Sequence, residues 1–211
     1  MGSIRQGILG AFSGKVGTVI GYVVNGVACM RGLATSHTDA NTLAQQDQRA
    51  KFKLAVSFLR PLVALLRIGF KNASERMSGF ASAMSYTLEN AITGISPAFT
   101  IDYTKVLVCR GNLPGALNPV ALSVEAGKVD FAWDNNSWDF GALATDKVVL
   151  VIYHPILKKS VSVIGDATRS IGSLSVELPD LFQGGEVQCW IGFTDDAEFS
   201  NGEWLAAVNV L

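Results

Sequence analysis

Apolar and polar positions along this chain fall into three successive rhythms, and each predicts a different kind of element. Residues 7–26 read GILGAFSGKVGTVIGYVVNG, with Gly7, Gly10, Gly14, Gly17 and Gly21 three or four positions apart. In a helix that spacing would form a stripe for close packing, yet five interior glycines would cost roughly 4–5 kcal/mol relative to alanine. The residues between them, Val16, Val19, Ile20, Val23 and Val24, favour strands. Asn25–Gly26 suits the positive-φ pair of a type I′ turn, so the pattern predicts a β-hairpin of Val16–Val24 and Val27–Arg31.

A helical rhythm follows. The polar stretch ATSHTDAN, residues 34–41, leads into a helix capped by Asn41 or Thr42. Leu43, Ala50, Leu54, Phe58, Leu62, Leu65 and Leu66 recur on one helical face. Pro61 is expected to kink this segment or to restart it as a second helix. A further helix is expected over Ala73–Ile92, with Phe80, Met84, Leu88 and Ala91 on one side and Gly94 ending it. Such apolar faces need a cover, which the arm or a neighbouring subunit would supply.

From about Phe99 the rhythm becomes that of short strands between turn signals. The candidates are Lys105–Arg110, Ala121–Glu125, Lys128–Trp133, Lys147–Tyr153, Ser160–Ile164, Gly172–Leu178, Glu186–Phe193 and Trp204–Val210. The expected fold class is α+β: an N-terminal glycine-rich β-hairpin arm, two or three helices, then an antiparallel immunoglobulin-like β-sandwich. The expected division is residues 1–98, arm plus basic helical region, and 99–211, sandwich.

Trp133 near a strand end, Tyr153 before His154–Pro155, the segment LSVELP and the closing LAAVNV resemble a fibronectin type III or immunoglobulin-like module. Over nearly its whole length the chain is also similar to an uncharacterised-domain family of about 210 residues common in Bacteroidetes-type genomes. The segments that carry this are GILGAFSGKVGTVIGYVVNG, LAQQDQRAKFKLAVSFL, IDYTKVLVCRGNLPGA and ATDKVVLVIYHP, above all SGKVGTV and QRAKF. Before the hairpin turn, where that family is expected to carry a tryptophan and a basic residue, this chain has Val23-Val24-Asn25, making its arm more apolar. The resemblance implies an interaction module and supplies no site residues.

Charge sharpens the picture. The net charge of −1 conceals ten Lys/Arg against four Asp/Glu in residues 1–100, and seven against fourteen in residues 101–211. A basic face of Arg49, Lys51, Lys53, Arg60, Arg67, Lys71 and Arg76 is thus set against an acidic sandwich. This asymmetry suits an intramolecular dock or a head-to-tail contact with the next copy, and equally a plain solvated helix face. Nucleic acid is not expected, because the basic residues lack aromatic interleaving and a recognition helix. With 211 residues, 49% hydrophobic and 17% charged, the chain suits one or two globular domains. No membrane span and no export signal are expected, which places it in the cytoplasm of the producing cell, or in a virion if phage-encoded.

Candidate chemistry is sparse. Cys29, Cys109 and Cys189 lie far apart with no neighbouring histidine, which suits buried, inert thiols. GAFSGK, residues 10–15, is one residue too short between its glycines for a phosphate loop, and Val16 replaces the magnesium-binding hydroxyl. His37 and His154 lack triad partners at recognisable spacing. No cofactor, catalytic residue or small-molecule substrate is therefore expected. Two loops, Asp134-Asn135-Asn136-Ser137-Trp138-Asp139 and Asp195 to Asn201, should share one end of the sandwich. Asp134, Asn136, Asp195, Asp196 and Glu198 could offer oxygens to calcium, and Trp138 and Phe199 could stack on a sugar.

The function expected is that of a non-enzymatic structural or interaction protein in a repeated assembly such as a virion, tail or surface filament. Its partners would be copies of itself or other structural proteins. The arm residues Gly14, Val16, Val19, Ile20, Tyr22, Asn25 and Gly26 would add a strand to a neighbour. The alternative is a monomeric binding module, its arm folded on its own helices and its sandwich loops taking carbohydrate or calcium.

Overall fold

The structure, a computed structural model, describes residues 3–4, 10–24, 26–36, 39–74 and 76–211. Gly7, Asn25 and His37, singled out above, lie outside the described residues. The chain forms two compact units, Met1–Leu43 and Ala44–Leu211. The helices expected to group with the arm over residues 1–98 therefore group with the sandwich.

The glycine-rich segment is a sheet. Strands β1 (Ser3–Ile4), β2 (Phe12–Val16), β3 (Val19–Val24) and β4 (Val27–Gly32) pair antiparallel in the order β1-β2-β3-β4. The strand expected over Val16–Val24 is split, because Gly17 takes φ of 57° in a turn that joins β2 to β3. Gly14 and Gly21 face each other across these strands. A Cβ at Gly21 would collide with the carbonyl oxygen and ring of Phe12, so this glycine is where an aromatic ring lies against bare backbone.

Ala44–Leu211 opens with a helical layer. Helix α1 (Leu43–Leu59) runs into a 3₁₀ turn, Arg60–Leu62, with Pro61 in its first turn, and α2 (Val63–Gly69) follows. Pro61 thus restarts the helix, since its ring lacks the N–H that a continuous helix would need. Ala55, Phe58, Leu59, Leu62, Leu65 and Leu66 are buried, whereas Leu43 remains 79% exposed. Helix α3 (Gly79–Asn90) is shorter than the segment Ala73–Ile92 expected of it. Ser78 accepts the Ala81 N–H through Oγ at 3.3 Å and so fixes the start. Gly94 does not end this helix; it sits in β5 (Ile92–Ile95), which pairs with β6 (Ala98–Ile101) in a hairpin. The β-branched Ile92, Thr93 and Ile95 favour the strand.

The remaining strands are β7 (Leu117–Leu122), β8 (Lys128–Asp134), β9 (Lys147–His154), β10 (Lys159–Thr168), β11 (Ser173–Glu177), β12 (Glu186–Thr194) and β13 (Glu203–Asn209). They form a three-stranded sheet, β11-β8-β7, and a four-stranded sheet, β10-β9-β12-β13. In sandwich lettering the order is E-B-A against C′-C-F-G, an antiparallel immunoglobulin-like sandwich within an α+β fold. Val129, Phe131 and Trp133 of β8 pack against Val148, Leu150 and Ile152 of β9 and Val187, Cys189, Ile191 and Phe193 of β12. The alternate residues Val149, Val151 and Tyr153 of β9, with Trp190, pack instead against the helices. Phe58 of α1 meets Tyr153 edge-on at 4.9 Å between centroids. The four-stranded sheet thus covers the inward face of the helices. Strand β9 is buried on both faces, which explains its uninterrupted apolar run.

One expected strand is absent. Lys105–Arg110 begins at the end of a 3₁₀ turn, Tyr103–Lys105, and continues irregularly, exchanging backbone hydrogen bonds with Gly202 through Val108 and Cys109. Its Val106, Val108 and Cys109 are buried among the helices, so burial produced an apolar alternation without a ladder. Strand β7 also starts earlier than the expected Ala121–Glu125.

Candidate functional site

The surfaces with most to offer begin with the arm sheet. Side chains alternate across a strand, so the register sorts the arm residues into two faces. Ile20, Tyr22 and Val24 share one face with Lys15, Arg31, Cys29 and Val27. The other face carries Val16, Val19, Val23, Ala28 and Met30 around Gly14, Gly21 and Gly32, and none of these is charged. Val16, Val23 and Met30 are 50%, 58% and 72% exposed. Gly21 is the single buried residue among those described in Met1–Leu43, so this sheet encloses no core. Among the described residues strand β4 pairs with β3 alone, and no strand lies along its other edge.

The basic residues separate on folding. Lys53 and Arg60, both exposed, line one groove with Ser57, Pro61 and Lys158, the last from the turn between β9 and β10. An adjoining recess shares Lys53, Ser57 and Lys158 and is floored by Leu54, Pro97 and Phe99. The two measure about 480 and 290 Å³. The Lys51 ammonium lies 5.0 Å from the centroid of the Phe99 ring. Arg49 stands earlier on α1, Arg67 on α2, Lys71 in the turn after it and Arg76 before α3, and none of these lines the groove. Lys158 was not among the expected basic residues; only the fold carries it from the acidic half of the chain to α1.

The two acidic loops follow β8 and β12, at the end of the sandwich where β9 begins. Their carboxylates are exposed, and several are engaged by groups of the same sandwich. Asp134 accepts from Asn118 at 2.8 Å, and Asp195 Oδ1 accepts the N–H groups of Ala197 and Glu198 at 3.0 and 2.6 Å. Asp196 pairs with Lys147 at 2.6 Å. Among the described residues no group of three or more His, Cys, Asp or Glu is arranged to hold a metal. Trp138, Phe140 and Leu143 are 71%, 103% and 59% exposed on the β8–β9 loop.

Beneath that loop lies a group the sequence did not reveal. The Arg169 side chain is fully buried, with its guanidinium carbon 3.9 Å from the centroid of Phe193. It donates through Nε to Asp146 Oδ2 at 3.1 Å, through Nη1 to Asn136 Oδ1 at 2.6 Å and Gly115 O at 3.0 Å, and through Nη2 to Pro114 O at 2.9 Å. Asn136 in turn donates to Asp139 at 2.8 Å, and Asp146 Oδ2 accepts the Leu143 N–H at 2.9 Å. Burial pulls the guanidinium below its ordinary pKa, opposed by the Asp146 carboxylate. Asp146 Oδ1 is buried without a hydrogen-bond partner. One arginine thus fastens both loop segments, 113–116 and 135–146, to the core.

The thiols divide the same way between core and arm. Cys109 and Cys189 are fully buried, and burial pushes both up to about 12, whereas Cys29 is half-buried in β4. A thiol reagent is expected to modify Cys29 alone in the folded protein, with Cys109 and Cys189 reacting only after denaturation. Peptide mapping of the labelled sites checks this.

No helix among the described residues is long and apolar enough to cross a membrane. Comparison with curated proteins returned no match. Among solved structures the chain is similar to a β-sandwich protein from a computer-based redesign, at 13% identity and a TM-score of 0.34 over 47% of this chain and 94% of that one. It is similar to the fn3 domain of human collagen alpha-1(XX) chain at 14% identity and a TM-score of 0.33, over 47% and 86% of the two chains. The fn3 domain of human contactin 1 matches at 12% identity and a TM-score of 0.27, over 55% and 81%. Residues 11–205 match the model of DUF6266, a family of unknown function, and the chain belongs to that family.

Proposed function

We propose that this chain is a non-enzymatic structural or interaction protein that works in a repeated assembly, joined through its N-terminal sheet. The observation that carries the reading is the uncharged face of Val16, Val19, Val23, Ala28 and Met30, all exposed but the half-buried Val19, on a sheet with no core among its described residues. Apolar surface gains about 25 cal/mol per Å² on leaving water, and a coreless sheet gains it by meeting another surface. The edge of β4 that is unpaired among the described residues supplies the second component, since such an edge accepts a strand through main-chain hydrogen bonds. The setting this suits is a virion, a tail or a surface filament, in which one contact recurs many times.

In the full-length protein, Val23→Lys with Met30→Lys is expected to shift a concentration-dependent oligomer to a smaller species, because each lysine places a charge on the face that must lose water. Light scattering over a concentration series reads the result. A wild-type protein that stays monomeric at every concentration, or variants that associate as the wild type does, would overturn the reading.

A further inference from the structure

The β8–β9 loop and the α1 groove carry complementary side chains, exposed aromatics and carboxylates on one and an apolar floor with a basic rim on the other, and they stand at opposite ends of β9. The loop ends at Asp146, directly before β9, and Lys158 lies in the turn directly after it. Eight residues of strand at about 3.3 Å each place the two ends roughly 26 Å apart. A copy of the chain therefore does not reach its own groove with its own loop.

We propose that the β8–β9 loop of one copy seats in the α1 groove of a second copy, with Trp138 and Phe140 as its anchors. Three observations carry this. The loop exposes its aromatic side chains while its base is fixed: Asn136 and Asp146 are held by Arg169, and successive turns bond Asp139 N–H to Asn136 O and Ala142 N–H to Asp139 O at 3.0 and 2.9 Å. An exposed aromatic pair on a pre-ordered loop loses little conformational entropy on docking. The groove offers an apolar floor of Leu54, Pro97 and Phe99 inside a rim of Lys53, Arg60 and Lys158, with no carboxylate among the described residues of its lining. None of those three cations forms an ion pair among the described residues. The loop offers the complement: residues 134–146 contain Asp134 and Asp139, both exposed, and no lysine or arginine.

A loop at one end meeting a groove at the other is a heterologous contact, and it leaves a loop and a groove free at the two ends of every pair. Long-range attraction between the acidic loop and the basic rim would orient the encounter, and salt would weaken it. The contact uses no residue of the arm, so its failure and that of the arm reading are separable.

The test uses full-length protein carrying Val23→Lys and Met30→Lys throughout, so that the arm face contributes nothing, and follows self-association by sedimentation velocity at low and high salt. The background protein is expected to associate, more weakly as salt rises. Trp138→Ser with Phe140→Ser, and separately Lys53→Glu with Lys158→Glu, are each expected to weaken association roughly tenfold or more. Mixing these two variants should restore a one-to-one complex, because one retains the groove and the other the loop. Lys53→Arg with Lys158→Arg should associate as the background does. Circular dichroism establishes that each variant is folded. A background protein monomeric at every concentration, a pair of substitutions without effect, loss of association in the Arg pair, or folded variants that fail to complement would each overturn the proposal.

Discussion

Replacement of Arg169 by leucine is expected to lower the unfolding free energy by about 3–5 kcal/mol, the range seen when one partner of a buried ion pair is removed. The cause is the partners left behind more than the bond lost. Asp146 is 1% exposed, and one of its oxygens already has no hydrogen-bond partner. Without the guanidinium its other oxygen keeps only the Leu143 N–H, and Asn136 Oδ1 and the Pro114 carbonyl lose their donor. Each buried polar group left unsatisfied costs about 1–3 kcal/mol. Denaturant titration of Arg169→Leu measures the loss, and a decrease under about 1 kcal/mol would contradict the account. The double variant Arg169→Leu with Asp146→Leu is expected to be more stable than Arg169→Leu alone, since it removes the stranded charge as well.

Alkaline pH is the second strong lever. Burial pushes Cys109, Cys189 and Tyr153 each up to about 12, from ordinary values of 9.0 for the thiols and 10.0 for the phenol. The folded chain therefore keeps protons that the unfolded chain has released once pH passes 9. Stability from these groups is fully present below pH 9 and is lost as pH rises through 12. At 1.36 kcal/mol per pKa unit, each thiol alone withdraws on the order of 4 kcal/mol across that window. Two such losses compare with the whole margin of about 5–15 kcal/mol that holds a domain folded. The protein is expected to unfold cooperatively between about pH 9 and pH 12, followed by circular dichroism. With Cys109→Ala and Cys189→Ala together, stability should fall less steeply over the same window. An unchanged slope would contradict burial of the two thiols.

What the sequence made legible depended on how many faces an element buries. The helical layer shows its inward face as a clean spacing from Phe58 of α1 through Leu62 to Leu66 of α2, because its other face meets water. The sandwich strands were equally readable, since Lys128–Asp134, Ser173–Glu177 and Glu186–Thr194 fall close to where apolar runs and turn signals place them. Lys105–Arg110 misled because burial of Val106 and Val108 beside the helices gives the same alternation as a ladder. The start of α3 was hidden because Ser78 caps by local geometry that no period announces. For the surfaces, the glycine arm was visible as a strand former, but its uncharged face emerged only with the register of β3 against β4. Arg169 and Lys158 were invisible for one reason. A lone charged residue in a turn looks solvated until the fold brings its neighbours.

The position of α1 also sets the path that a mechanical load would take. A pull transmitted through Met1–Leu43 enters the second unit at Ala44, within α1, rather than at a strand of the sandwich. Among the described residues the helical layer is fastened to the sheet mainly by packing, with Phe58 of α1 against Tyr153 and Trp190, and by a hydrogen bond from Ser160 to the Pro61 carbonyl, in the turn after α1, at 3.2 Å. Dispersion contacts yield one at a time as a helix peels, while the ladder between β9 and β12 must break many hydrogen bonds together. The helical layer is therefore expected to be a compliant element in series with a stiff one, giving way under tension before the ladder of β9 and β12.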